Sequence, residues 1–120
     1  MRTLLVRVEG EVEPGDLVIL QCSDRYRGGQ SNARAHVRQP RERVETVNGH
    51  RVVVEDRSTM NDLVAMLARE IGSRWGAGFS ARQRNANELI VQIESNSQDV
   101  NFFYTIEGSK KQVVTIEDLA

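Results

Sequence analysis

The stretch 58–107 constrains this chain more than any other. It reads S-T-M-N-D-L-V-A-M-L-A-R-E-I-G-S-R-W-G-A-G-F-S-A-R-Q-R-N-A-N-E-L-I-V-Q-I-E-S-N-S-Q-D-V-N-F-F-Y-T-I-E. Ser58 or Thr59 is placed to cap a helix, because a hydroxyl there accepts from an otherwise orphaned backbone N–H. Asp62 adds a negative charge in the first turn, where the helix dipole favours it. Met60, Leu63, Val64, Leu67 and Ile71 follow the spacing of a single apolar stripe, and Arg69 and Glu70 fall outside it. Gly72 predicts a stop, and Gly76 and Gly78 exclude a long continuation. The spacing therefore predicts a helix over 59–72.

A helix of about 13 residues is marginal alone in water, so its stripe must lie on a sheet. Leu89, Val91 and Ile93 alternate with Glu88, Gln92 and Glu94, and Phe102, Tyr104 and Ile106 alternate with Asn101, Thr105 and Glu107. Period-two alternation means one buried face and one wet face.

Before the helix, Leu4, Val6 and Val8 read as a first strand, with Gly10 as a bulge or bend. Pro14-Gly15-Asp16 is a turn, and Leu17 to Cys22 is a second strand apolar enough to be buried on both faces. The segment 23–43 differs in composition, with Tyr26 and Val37 as its only large apolar residues, and it reads as a loop of about 20 residues. Such a loop is either functional or disordered, and it orders only against something else. Asn48-Gly49 between E-T-V and H-R-V-V-V is a hairpin signal. After the helix come strands over 79–117: Phe79–Arg84, Glu88–Glu94, Val100–Glu107 and Gln112–Ile116, with Glu117-Asp118 as a polar end. The fold class expected is mainly β (α+β), one domain over 1–120. Its architecture is an antiparallel sandwich or split barrel of about eight strands with one flanking helix and a long loop.

Formal charge is −1, which gives no global attraction to nucleic acid or anionic membrane. The distribution is uneven: Asp24 to Glu45 holds six arginines against three acids, and Asn85 onward holds two lysines against six acids. Fourteen of the sixteen basic residues are arginine, which suits bidentate pairing with carboxylate or phosphate; a coding bias is the other reading. The single cysteine, Cys22, excludes an intramolecular disulfide and a cysteine metal site. The N-terminal apolar run is broken by Arg7 and carries no cleavage site, and no run approaches a membrane span, so synthesis in the cytoplasm is expected.

The chemistry-bearing motifs are thin. His36 and His50 are not at ligand spacing, and Cys22 and His36 could meet as a nucleophile pair only by a fold that the sequence does not dictate. Gly76-Ala77-Gly78-Phe79-Ser80-Ala81 matches the letters of a dinucleotide fingerprint, but here the helix precedes and the strand follows. Glu9, Glu11 and Glu13 share one strand face and read as a wet edge. Arg27-Gly28-Gly29 is a single R-G-G, a thin pointer to RNA. No enzyme, no metal and no cofactor are expected.

Thr59-Met60-Asn61-Asp62-Leu63, Leu67-Ala68 and Ile71, then Gly78 to Ile93 and Val100 to Ile106, resemble a pattern of phage and contractile-injection tail proteins. In that pattern a capped helix, T-x-x-D-L-A-x-x-L-A-x-x-I, leads through a glycine turn into G-F-S-A-x-x-x-x-N-E-L-I-V-x-I. The chain departs from it at Trp75 and in being short for a tube protein. The resemblance implies a tail-tube-like sandwich with a flanking helix, located in a virion and assembling in rings without catalytic residues.

An arginine-bearing segment beside an acidic remainder also suits head-to-tail assembly. Arg25, Arg27, Arg34, Arg38, Arg41 and Arg43 are expected to contact a neighbouring copy, or another virion protein, with Tyr26 as an apolar anchor. The alternatives are a nucleic-acid-binding module using the same arginines, with Tyr26 stacking on a base, and an accessory domain with an unrecognised ligand site.

Overall fold

A computed structural model describes residues 2–24, 31–39, 42–55, 59–75, 78–94 and 100–119. The described residues form nine strands and one helix: β1 (Arg2–Gly10), β2 (Leu17–Asp24), β3 (Ser31–Arg38), β4 (Glu42–Val47), β5 (His50–Glu55), α1 (Met60–Arg74), β6 (Phe79–Asn85), β7 (Glu88–Ile93), β8 (Val100–Glu107) and β9 (Gln112–Leu119). The fold is mainly β, in antiparallel sheets, with the single helix flanking them, as the alternation predicts.

One sheet has the order β6-β7-β1-β9 and the second the order β3-β2-β8. Their inner faces share one core, built from Leu4, Val6 and Val8 of β1, Val18 and Leu20 of β2, Leu89, Val91 and Ile93 of β7, and the helix stripe Leu63, Val64, Leu67 and Ile71. The helix packs on β6 and β3, which are edge strands of different sheets, and so fills the seam between them. On the opposite side β8 and β9 approach each other without pairing.

The helix begins as its first turn dictates. Thr59 Oγ1 accepts from the Asp62 N–H at 3.3 Å, and the Asp62 carboxylate accepts from the Thr59 N–H at 2.9 Å, a reciprocal capping box. Those donors, backbone first and then the Thr59 hydroxyl, hold the Asp62 carboxyl below its usual range. Gly72 does not stop it. The helix runs on to Arg74 with Trp75 as its C-cap in the right-handed region, φ −82 and ψ −8. Glycine inside a helix costs only about 1 kcal/mol, less than Trp75 recovers by burial. Trp75 meets Phe79 edge-on at 5.5 Å between centroids and stacks with Phe102 at 6.0 Å. The Arg2 guanidinium lies 5.3 Å from the Phe102 centroid and is paired to Asp118 at 2.7 Å.

The expectation of a continuous loop over 23–43 is corrected. β2 runs to Asp24, and Ser31–Arg38 is a strand that pairs with it antiparallel along its whole length. Ala35 and Val37 point into the core under the helix, and Arg34, His36 and Arg38 alternate outward. Alanine is depleted in strands and reads as loop, but a helix packed directly over β3 leaves room for a methyl group and little more. Residues 31–38 therefore have a place on their own subunit. At the other end of the chain β9 includes Glu117 and Asp118, which pair with β1 rather than forming a separate polar end.

A buried polar corner ties the start of β2 to the β8–β9 turn. Asp16, only 2% exposed, accepts from the Ser109 N–H at 2.8 Å, the Ser109 hydroxyl at 2.6 Å, the Gln112 amide at 2.7 Å and the Glu13 N–H at 3.0 Å. Burial alone would push its carboxyl up, but these bonds together outweigh it and hold the group below the ordinary aspartate value. Gly108, at φ +96, completes the corner, since a Cβ there would meet Asp16 Oδ1 at 2.5 Å.

Candidate assembly surface

The β4–β5 hairpin stands apart from the rest. Its turn is the expected Asn48-Gly49, with both residues at positive φ (51° and 79°), the geometry of a two-residue turn that matches strand twist. The two strands form a sheet of their own, and no other described element packs extensively against them. A compact chain of this length has a radius of gyration of about 13–14 Å. The value here is 16.1 Å, with extents of 55 × 24 × 23 Å. Six residues per strand span about 20 Å, enough to account for the excess length.

This arm carries valines on both faces. Register pairs Val44 with Val53 on one face and Glu45 with Val52 and Val47 with His50 on the other. Val44 and Val53 are 58% and 60% exposed, and Val47 and Val52 are exposed as well. An isolated two-stranded hairpin is marginal in water, and valines without cover add nothing to it.

The second part of the surface is the outer face and free edge of the β3-β2-β8 sheet. Register puts Arg34, Gln21 and Phe103 in one row, His36, Ile19 and Thr105 in the next, and Arg38, Leu17 and Glu107 in a third. Phe103 is 52% exposed on this face, and Tyr104, next to it on the opposite face, is 47% exposed. An unpaired strand edge flanked by uncovered aromatics is a template for pairing with another chain.

The arginines expected to act together are divided. Arg25, Tyr26, Arg27 and Arg41 lie outside the described residues. Arg34 and Arg38 share the outer face of β3, and Arg38 also reaches the Gly15 carbonyl at 3.4 Å. Arg43 is on the arm, in a different sheet, and is paired to Glu45 at 2.5 Å. Sequence reasoning passed over the arm valines, Phe103 and Tyr104. The signal was present in V-V-V at 52–54 and F-F-Y at 102–104, since consecutive apolar residues in a strand point to both faces.

One polar cluster away from this surface is satisfied internally. A shallow depression of about 470 Å³ is lined by Arg7, Glu9, Asn85, Ala86, Asn87 and Glu88. In it the Glu88 carboxylate takes the Asn85 amide and the Arg7 guanidinium (2.8 Å), which hold it below the usual glutamate value. Asn87 bonds the Val8 carbonyl at 3.1 Å, so the cluster latches the β6–β7 turn onto β1. Cys22 is buried in the core, whereas His36 faces outward on the neighbouring strand, three residues away in register, so the two form no nucleophile pair. Among the described residues no cluster of His, Cys, Asp or Glu is placed to hold a metal ion, and no helix is long and apolar enough to cross a membrane. No family model matches the chain, and neither does any curated protein or solved structure.

Proposed function

We propose that this chain is a non-enzymatic structural subunit that assembles with copies of itself, most closely in the manner of a phage tail or virion component such as a tube or connector protein. The observation that carries the reading is the arm: a two-stranded sheet with exposed valines on both faces and no other described element packed extensively against it. Ordered apolar strands held away from the core need a partner, because burial is what offsets the entropy of ordering them. The resemblance of the helix and the strands after it to tail proteins supplies the kind of particle. Arg34 and Arg38, exposed on the outer sheet face, belong to the contact surface in this reading.

The test is the size of the full chain in solution, by light scattering or sedimentation, beside a variant in which 43–54 is replaced by a short glycine-serine link. The intact chain is expected to form a defined oligomer, and the armless variant to remain folded and monomeric. A strictly monomeric intact chain at high concentration would refute the proposal. A second reading, binding of single-stranded nucleic acid, draws on the Arg34–Gln21–Phe103 row, where a ring and a guanidinium share one wet sheet face. It requires affinity for single strands that falls steeply with salt.

A further inference from the structure

The body of the fold has four strand edges, and they are not equally protected. The edges of β3 and β6 lie against α1. β9 is bounded by charge, with Lys111 next to its start, bonded to Glu13 at 2.5 Å, and Glu117 and Asp118 near its end. β8 has none of these guards. Its register with β2 is unbroken from Val100 to Glu107, its other side has no hydrogen-bonded neighbour among the described residues, and no charge, proline or glycine occurs before Glu107. Lysines, prolines, bulges and coverings are how folded proteins keep such edges from pairing, and β8 lacks them.

Resting on the assembly reading above, we infer that the free edge of β8 receives strand β5 of a second copy, antiparallel, with Arg51 of the arm opposite Glu107. Charge selects this register. Glu107 is the one charged residue of β8, and Arg51 is the one arginine or lysine of β5, whose other charged residue, Glu55, falls opposite Phe103 in this register. Both are exposed, and neither has an ion pair among the described residues. Setting them opposite each other places Val52 opposite Ile106, Val53 opposite Thr105 and Val54 opposite Tyr104. Side-chain parity is kept throughout: Val52 and Val54 lie on the face of Ile106 and Tyr104, and Val53 lies on the face of Thr105, beside the Phe103 ring. An acceptor edge with Phe103 exposed on its outer face and Tyr104 exposed on its inner face thus meets a donor that carries valines on both faces.

Area decides how the contact is used. The arm is about 20 Å long and two strands, about 10 Å, wide, so one face offers roughly 200 Å² in projection. A stable interface needs about 800 Å² from each partner. A single arm seated once falls short, whereas every copy carries both an arm and an acceptor edge. Donation and acceptance by each subunit close into a reciprocal pair or a ring, and contacts accumulate around the closed assembly.

The experiment uses the full-length chain and reads the concentration at which it half-assembles. Arg51→Glu and Glu107→Arg, each alone, are expected to raise that concentration several-fold, up to about tenfold, as like charges are set directly opposite. The double variant, with the pair reversed, is expected to return it to the original value. Hydrogen exchange should show the amides of 101–107 becoming protected on assembly in the original chain and in the double variant. Three outcomes would overturn the inference. If the armless variant is monomeric but the charge variants assemble normally, the arm docks elsewhere and only the assembly reading stands. If the armless variant assembles as well as the intact chain, the contact does not use the arm. If the intact chain is monomeric, the inference falls together with the reading it rests on.

Discussion

Replacing Asp16 with Asn keeps the shape of the side chain and changes only what its atoms can do. Oδ2 accepts from the Glu13 N–H, the Ser109 hydroxyl and the Gln112 amide, and Oδ1 accepts from the Ser109 N–H. All the partners are donors, and an ionised carboxylate is the side chain that offers only acceptors. If the Asn oxygen takes the Oδ2 position, its NH2 group faces the Ser109 N–H, donor against donor. If it turns round, the NH2 group faces three donors, of which only the hydroxyl can reverse. One buried donor left unsatisfied costs about 1–3 kcal/mol. The surviving bonds lose their charge assistance, which roughly halves their strength. Relief from burying a charge offsets part of this, leaving a net loss of about 2–4 kcal/mol against a typical total stability of about 5–15 kcal/mol. Urea unfolding at neutral pH measures it as a lower midpoint with an unchanged slope. The sign of the pH dependence follows from the depressed carboxyl of Asp16. Its stabilisation is full above the unfolded-state value of about 3.9 and is lost as pH falls through the lower folded-state value. The gap between the two proteins should therefore be constant above about pH 5 and narrow in acid. A loss below about 1 kcal/mol at neutral pH, or a gap that widens in acid, would refute the reasoning.

Thr59→Ala removes one half of the capping box and should cost about 1 kcal/mol in thermal or urea unfolding, with a smaller additional cost from Asp62→Ala in the same chain, because the two bonds act together. Leu67→Ala opens a cavity at the centre of the helix stripe, where the side chain is fully buried, and should cost about 2–5 kcal/mol by denaturant unfolding. Gly10→Ala should be worse than its one methyl group suggests, with loss of soluble folded protein in expression assays. The residue is at φ +104, and a Cβ would sit 2.1 Å from the Lys111 carbonyl oxygen, a backbone atom that cannot swing away.

The parts of this fold that could be read in the sequence are those whose causes are local. The Thr59–Asp62 cap needs only residues three apart, and the Asn48-Gly49 turn needs only its own φ angles. The strand at 31–38 was hidden because its inward residues are small, and their reason for being small, the helix above them, lies about 30 residues further along. Asp16 could not be recognised as the pivot of a corner, since its partners Ser109 and Gln112 are 93 and 96 positions away. The arm was legible as a hairpin and illegible as an arm. Three consecutive valines describe a strand with two apolar faces, and periodicity is the same whether those faces are covered by the chain's own core or by nothing. The arginines attracted attention for their charge, yet β3 distributes its arginines outward simply because alanine and valine alternate inward.

The placement of the single helix bears on where assembly can occur. A sandwich of two open sheets has two seams, and here the helix closes the one between β3 and β6. Among the described residues no second helix closes the seam at β8 and β9, and no strand pairing crosses it. The Asp16 corner and the Arg2–Asp118 pair fix residues next to or within these two strands, so the open side has a definite shape rather than a frayed one. A fixed edge loses little entropy on binding, which is the condition under which strand addition is favourable. The arm is the opposite case, a hairpin with no packed support that gains most from being ordered by contact. A fixed strand edge and an underpacked hairpin thus occur in one chain, and the one helix among the described residues lies on the other side. On the assembly reading proposed above, that asymmetry would direct growth toward the β8 edge and away from the helical side.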